Sequence, residues 1–548
     1  MALLSSFKRT ELVNTVTSKP YDLLIIGGGI TGAGIALDAA SRGLSTVLIE
    51  KNDFASGTSS KSTKLIHGGL RYLKQFEIAL VREVGHERAT VHRLIPNLVT
   101  SEKMLLPLIK DGTFGKLMTS IGLMVYDVLA GVEKVDQRKM LSIEKTLAKE
   151  PLLSADNIEG GGVYAEYRTD DARLTIEIIK TASAHGAHCI NYVQADEFIY
   201  ENDKVAGVKG TDFISGEGIE IKAKSIISAA GPWVDELRKM NHSMTNKHLH
   251  LTKGVHIVVP HKKFPVNQAI YFDFPDKRMV FAIPRGKITY IGTTDTDYFG
   301  DKDNILTKKE DVEYLVNGTN HAFPKLELKI EDVESSWAGV RPLIHEDGKS
   351  ASEISRKDEI FESETGLLSI AGGKLTGYRK MAEKVMDKLM KRLHEEDGLP
   401  FVPTKTEHID LDSGAFADAK EVKAYRKEIR AQLEVIGLDK YFALYLVSNY
   451  GLATDKIIVG MDEFKDLVPE HRLIRSELKY CIENEMVFSL PDFFIRRTGR
   501  LYFDINSVRS NFNLILNDFE SYFGWSKEKI KAEREAMEVA ILEVSVFH

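Results

Sequence analysis

YDLLIIGGGITGAGIALDAASRGLSTVLIE, Tyr21 to Glu50, packs a strand, a glycine turn, a helix and a second strand into one short stretch. Tyr21 to Ile26 is an apolar run of strand length that leads directly into G-x-G-x-x-G at Gly27, Gly29 and Gly32. Ala33, Ile35, Ala36, Ala39 and Ala40 continue as a small-residue helix, Gly43 ends it, and Thr46 to Ile49 forms the next strand. Gly27 permits the tight turn, Gly29 lets a pyrophosphate approach the backbone, and Gly32 allows close helix packing. Glu50 follows Gly32 at close to the ~20 residues at which an acidic side chain meets a ribose hydroxyl. The pattern alone is weak, but with every flanking element in place it predicts a dinucleotide site on a parallel α/β sheet.

Composition bounds the rest. The chain has 548 residues, 43% hydrophobic and 28% charged, an ordinary globular balance for two or three domains. A formal net charge of −7 argues against a nucleic-acid partner. Cys189 and Cys481 are far apart with no C-x-x-C, so neither a disulfide framework nor a thiol redox pair is expected, and a reducing cytoplasmic setting fits. MALLSSFKRTELVN lacks the apolar core of a signal peptide. The uncharged run Leu117 to Tyr126 falls short of the ~20 residues of a membrane span and reads as a core helix or an interfacial segment.

After the first βαβ unit and a mixed stretch to about Glu150, Asp171 to His185 reads as a helix through Ile176, Ile179 and Ala182. HCINYVQADEFIY, KVAGVKG and Ser225 to Ala230 read as strands. GVHIVVP, AIYFDF, RMVFAIP and KITYIGTTD, between Leu251 and Tyr298, read as an antiparallel set. A strand at Leu367 to Ala371 leads into a helix with Met381, Val385, Leu389 and Leu393 on one face, closed by Gly398 and Pro400. From about residue 399 to 548 the pattern is helical. The expected division is an N-terminal arm (1–20), an oxidoreductase region (21–398) and a helical C-terminal domain (399–548). Within the middle region, cofactor-binding parts fall at about 21–105, 160–240 and 350–398, around a substrate part at about 241–349.

KLIHGGLRYL, Lys64 to Leu73, joins the glycine turn to a histidine, two glycines, an arginine and a tyrosine. With VYAEYRTDDARL, SAAGPW, KGVHIVVP, IGTTDTDY, WAGVRPL and GGKLTGYRK, it resembles the flavin-dependent glycerol-3-phosphate dehydrogenases. PDFFIRRTGRLYF resembles their helical C-terminal domain, so the likeness covers nearly the whole chain. It implies FAD as the dinucleotide, an antiparallel sheet roofing the flavin as in D-amino-acid oxidase, and oxidation of sn-glycerol 3-phosphate to dihydroxyacetone phosphate. Electrons would pass to a membrane quinone, or to oxygen in oxidase members. The resemblance carries cofactor contacts onto Gly27, Gly29, Ile30, Thr31 and Gly32, onto Glu50 and Lys51, and onto the hydroxyls of Thr58, Ser59 and Ser60. It extends them to His67, Gly68, Gly69 and Leu70, to Val193, to Ala230, Gly231 and Trp233, to Gly339 and Arg341, and to Gly373, Lys374, Leu375 and Thr376.

The chemistry assigns roles beside this. A glycine pair at a strand-to-helix junction would aim the N–H groups of Lys374, Leu375 and Thr376 at the pyrimidine oxygen of the flavin, where negative charge grows on reduction. Oxidising a secondary alcohol also needs a neutral base. His256 and His67 are the candidates, and the residues do not choose between them. A phosphate dianion calls for planar cations, so Arg341 and Arg71 are expected there, with Tyr72, Thr293 and Thr294 as neutral donors and Lys374 near flavin or substrate. HGAHC, His185 to Cys189, resembles a metal cluster only superficially, and no metal is expected. An amino-acid oxidase of the same fold and a non-catalytic flavin scaffold are the alternatives. Quinone is expected over oxygen because no oxidase-type insertion is found, and because Leu3, Leu4, Phe7, Lys8 and Arg9 form a pattern suited to an anionic bilayer surface. The expected location is the inner face of the cell membrane, held peripherally, with a homodimer as an open option.

Overall fold

The computed structural model describes residues 4–66, 78–110, 112–113, 115, 123, 137–348, 355 and 357–547, with backbone alone at 78–80. Two sheets organise the first part of the chain. In the eight-stranded sheet, Tyr21–Ile26 lies between Thr46–Ile49 and Glu217–Ser228, parallel to both. His188–Ile190 and Leu368–Ala371 extend it in parallel on either side, and Glu359–Glu362 closes one edge antiparallel. Leu23, Leu24 and Ile25 are fully buried, the continuous apolar run expected of a strand covered on both faces. Each such side chain contributes about 1.5–3 kcal/mol on burial.

Helices Ile30–Ser41, Asp171–Ala184 and Tyr378–Asp397 share one core with this sheet. The small residues of the first helix are what admit the third: a Cβ on Gly34 would sit 2.9 Å from the Tyr378 ring. HCINYVQADEFIY, read as one strand, is two, His188–Ile190 and Val193–Glu201. The break falls where the Asn191 amide reaches Asp53 and the Met486 carbonyl and Tyr192 takes φ +61°.

The ten-stranded sheet is mostly antiparallel. Near one end of it, Lys247–Pro260 pairs with Ile288–Gly292 on one side and with Ser335–Glu346 on the other. Val255, Ile257, Val259 and Ala338 turn one face into a core capped by Val312, Leu315 and Val316 of helix Lys309–Ala322. Alternation therefore turns Gly254, His256, Gly339 and Arg341 to the other face. Thr100–Ile109, in the stretch read only as mixed, and Ile158–Arg168, just beyond it and given no element in the sequence, also belong to this sheet.

The segment from Phe416 to Met537 builds a separate apolar core on helices such as Ala419–Ile436, Tyr441–Tyr450 and Ile505–Phe523. Buried charges tie it to the rest: Arg173 Nη1 donates to Glu485 at 2.6 Å and Nη2 to Glu177 at 2.6 Å. The N-terminal segment corrects its reading as a bilayer patch. Leu4 is buried in the first core, and Arg9 is buried against Asp212 at 2.7 Å. Phe7 packs on Tyr522 and Phe523 although half-exposed. Leu3 and most of the run Leu117–Tyr126 lie outside the described residues.

Gly32 marks the tightest approach in the first turn, where a Cβ would stand 1.9 Å from the Gly27 carbonyl oxygen. Gly32→Ala is expected to destabilise the protein by about 1–3 kcal/mol through overpacking, read as a lower thermal midpoint. An unchanged midpoint would contradict this packing.

Candidate active site

The dinucleotide end is built from backbone. Gly27 adopts φ +116°, and a Cβ there would stand 2.6 Å from the Ala229 carbonyl oxygen, so the turn lies flat against the end of a neighbouring strand. Helix Ile30–Ser41 begins at Gly29 without a side-chain cap, and only Ile30 N–H is drawn aside, to Ser59 Oγ at 3.0 Å. That leaves a helix N-terminus open to an anion. Glu50 accepts from Gly28 N–H at 2.6 Å and Asn52 N–H at 2.9 Å. Burial raises its pKa against the pull of those two donors. Each carboxylate oxygen keeps a second lone pair for a ribose hydroxyl.

These residues line one continuous cavity of about 1030 Å³, which also takes in His256, Arg341 and Gly372 to Thr376. That is at the upper end of the roughly 300–1,000 Å³ of ligand sites and suits a dinucleotide with a small substrate. Gly372 and Gly373 both take positive φ, and a Cβ would meet the Lys357 carbonyl oxygen at 2.5 Å or Met381 Sδ at 2.4 Å. This pair brings Lys374, Leu375 and Thr376 into the wall at the start of the helical run Leu375–Asp397. The open helix N-terminus, the ribose-facing carboxylate and a second helix start aimed at the same space fit FAD.

Another part of the lining comes from one face of the antiparallel sheet. His256 pairs with Trp337, Gly254 with Gly339 and Thr252 with Arg341 across one ladder. His256 is 1% exposed, stacks on the Trp337 ring at 4.7 Å and 9°, and meets Thr63 Oγ1 through Nε2 at 3.0 Å. Trp337 is itself fixed by donating to the Ser62 carbonyl at 3.1 Å. A Cβ on Gly292 would stand 2.1 Å from the His256 ring, so that strand must be bare there. Burial first, then the positive charges of Arg341 and Lys64, push the His256 pKa well below 6.5. The imidazole is neutral. Gly254 makes way for the Arg341 guanidinium and Gly339 for Lys61, where a Cβ would stand 2.7 Å from Arg341 Nη2 and 2.6 Å from Lys61 Cβ. The guanidinium donates to Asp295 at 3.1 Å and Thr293 Oγ1 at 3.2 Å.

The structure gathers most of the expected residues around this cavity: Gly27, Gly29, Ile30, Thr31, Glu50, Lys51, Thr58, Ser59, Ala230, Gly231, Trp233, His256, Thr293, Thr294, Gly339, Arg341 and Gly373 to Thr376. Three stand behind the wall. Gly32 serves helix packing, Ser60 is buried with its hydroxyl toward the Gly57 carbonyl, and Val193 bonds to the Glu50 carbonyl while Gln194 and Ala195 reach the cavity. The threonines are not the free donors expected. Thr294 Oγ1 gives its proton to the Lys253 carbonyl and Thr293 Oγ1 to the Thr294 carbonyl, so both shape the setting of Arg341. Thr58 likewise donates to the Val340 carbonyl at 2.8 Å. His67, Gly68, Gly69, Leu70, Arg71 and Tyr72 lie outside the described residues.

Sequence reasoning missed Lys61 and Thr63, which directly follow the hydroxyls of Thr58 to Ser60, and the stacked pair Tyr271 and Phe281, which are directly cross-strand. Lys61 is half-buried in the wall, its pKa lowered by desolvation and by Arg496. A cation so placed favours an anionic ligand. Of the expected non-metal pair His185 and His188, the latter bonds Tyr21 Oη at 2.7 Å. Among the described residues the one group spaced for a metal is His248, His345 and Asp347, which does not line the cavity.

Comparison with known proteins places this geometry. Residues 22–379 match the FAD dependent oxidoreductase family, and residues 373–530 match the C-terminal domain of alpha-glycerophosphate oxidase. An aerobic glycerol-3-phosphate dehydrogenase of Bacillus subtilis (strain 168) is 50% identical over 96% of this chain and 95% of its own. The X-ray structure of the glycerol-3-phosphate dehydrogenase from Bacillus halodurans complexed with FAD matches with a TM-score of 0.85 at 41% identity, covering 100% of this chain and 99% of that one. Glycine oxidase from Bacillus cereus ATCC 14579, at 22% identity, TM-score 0.50, 67% of this chain and 96% of its own, shares the fold. The chain thus belongs to the FAD dependent oxidoreductase family, FAD is its cofactor, and within that family it groups with the aerobic glycerol-3-phosphate dehydrogenases.

Proposed function

We propose that the chain oxidises sn-glycerol 3-phosphate to dihydroxyacetone phosphate and passes the electrons to a membrane quinone. The observation that carries this reading is the shared ladder face: a neutral buried imidazole and a guanidinium stand on one side of two paired strands and line the same cavity as the dinucleotide turn. Turning a secondary alcohol into a ketone removes a hydride from carbon and a proton from oxygen. FAD, when bound, accepts the hydride and with it both electrons. His256 is the group suited to take the hydroxyl proton, since Trp337 and Thr63 fix its ring and burial keeps it unprotonated. Arg341 offers planar donors to a phosphate, and Asp295, Thr293 and the Thr294 carbonyl hold it in place. The missing Cβ of Gly254 lets the guanidinium lie close over that strand, since a Cβ there would stand 2.7 Å from Arg341 Nη2.

An amino-acid oxidase would also use an arginine, for a carboxylate, but the glycine oxidase resemblance extends only to the fold. The dehydrogenases match end to end, which favours the phosphate reading, and their being dehydrogenases rather than oxidases supports an acceptor other than oxygen. Among the described residues no helix is long and apolar enough to cross a membrane, and we place the protein peripherally at the inner membrane face.

His256→Ala is expected to slow flavin reduction by glycerol 3-phosphate about 10²–10⁴-fold, with a much smaller change in substrate Kd. Reduction at the native rate would remove His256 as the base. A histidine whose pKa is depressed on folding acts as a base at neutral pH and loses that role only as pH falls through the depressed value. Arg341→Met removes one cause of the depression, so the acid limb of the limiting flavin-reduction rate moves to higher pH. Substrate Kd should also rise about tenfold or more, the scale of a charge-assisted bond. An unmoved limb with unchanged Kd would separate Arg341 from both roles.

For the acceptor, enzyme and glycerol 3-phosphate are mixed with either air-saturated buffer or a soluble quinone analogue. Rapid quinone turnover with slow peroxide release is expected. Fast peroxide formation without quinone reduction would overturn the acceptor assignment.

A further inference from the structure

Asp53 is 1% exposed and belongs to the loop that carries Glu50, Lys51, Asn52, Ser56 and Gly57 into the cofactor cavity. Its carboxylate accepts from Arg496 Nε at 2.5 Å, from Arg497 Nη1 and Nη2 at 2.7 and 2.8 Å, and from Asn191 Nδ2 at 3.0 Å. Both arginines sit at the end of the helical turn Asp492–Arg497, deep in the C-terminal part of the chain. That turn is held in its own right. Arg497 also donates to the Glu485 carbonyl at 2.7 Å, and Asp492 takes Arg496 Nη2 at 2.5 Å and Tyr192 Oη at 2.6 Å.

The loop needs such a hold. Buried Ala55 has φ +63°, a left-handed conformation that a residue with a Cβ keeps only where its surroundings fix it. Ala55 N–H reaches the Gly28 carbonyl at 3.0 Å, and Glu50 reaches Gly28 N–H, so any shift at Asp53 is passed to the glycine turn. A buried charge set of this kind adds little net stability over apolar packing of the same volume, so what it delivers is position.

We propose that the C-terminal domain is a working part of the FAD site, with Arg496 and Arg497 as positioning residues that hold the Glu50–Gly57 loop in its cofactor-binding shape through Asp53. The arginines touch neither cofactor nor substrate. They act through the loop.

The test titrates FAD into the full-length apoprotein and reads flavin fluorescence, with thermal midpoints measured in parallel. Arg496→Ala is expected to raise the FAD Kd about tenfold or more, and Arg496→Lys, which keeps the cation, to restore most of the affinity. Arg475→Ala serves as the control: it breaks an ion pair with Asp518 inside the C-terminal helices, remote in the bonding network from Asp53. It is expected to lower the midpoint and leave the FAD Kd in place. If Arg496→Ala does not fold, Arg497→Lys carries the same test, since it loses the paired donors and should weaken FAD binding. An FAD Kd unmoved by Arg496→Ala or by Arg497→Lys, or raised as much by Arg475→Ala, would overturn the proposal.

Discussion

The chemistry of this protein hangs on one ladder. Lys247–Pro260 and Ser335–Glu346 pair antiparallel in an unbroken register from Lys247 opposite Glu346 to Val258 opposite Ser335. A slip by one residue would turn His256 and Arg341 into the core and bring Val255 and Val340 to the cavity. The register is guarded from both faces: Val255, Ile257 and Ala338 are committed to packing under helix Lys309–Ala322, while His256 stacks on Trp337 directly across the ladder. The relation between base and cation is thus set by sheet pairing, which is stiffer than any loop.

The cofactor wall obeys a different rule, that of backbone close approach. Gly27, Gly32, Gly372 and Gly373 each stand where a Cβ would strike a backbone or side-chain atom within about 3 Å. Glycine there clears the way for backbone donors to face an anion. The two walls come from distant parts of the chain, and both buried ion pairs, Arg173 to Glu485 and Arg497 to Asp53, and aromatic packing of Tyr502 and Phe503 on Trp337 and Tyr290 join them to the C-terminal helices. Charges so placed tolerate little displacement, because an unpaired buried charge costs several kcal/mol, about 3–5 when a partner is removed.

Local features were legible in the sequence. The Tyr21–Glu50 stretch folds element by element as its periodicity and glycines say, and the glycine pair before Lys374 opens a helix as expected. What was not legible depended on distant partners. Arg9 reads as a surface cation until Asp212 is placed beside it, and Thr294 reads as a free hydroxyl until the Lys253 carbonyl claims its proton. Lys61 and Thr63 lie between the Thr58–Ser60 hydroxyls and the Lys64–Leu73 stretch, yet nothing in their spacing tells that one faces the cavity and the other meets His256. The division of HCINYVQADEFIY follows from a side chain, Asn191, whose partners lie in other segments.

The central claim is that FAD bound here takes electrons from a phosphorylated secondary alcohol. Anaerobic addition of sn-glycerol 3-phosphate to the yellow holoprotein tests it directly, followed at the visible absorbance maximum of the flavin. Complete bleaching by this substrate, with none by glycine or D-amino acids, is the result the account predicts. A flavin that stays oxidised with glycerol 3-phosphate but bleaches with an amino acid would contradict it.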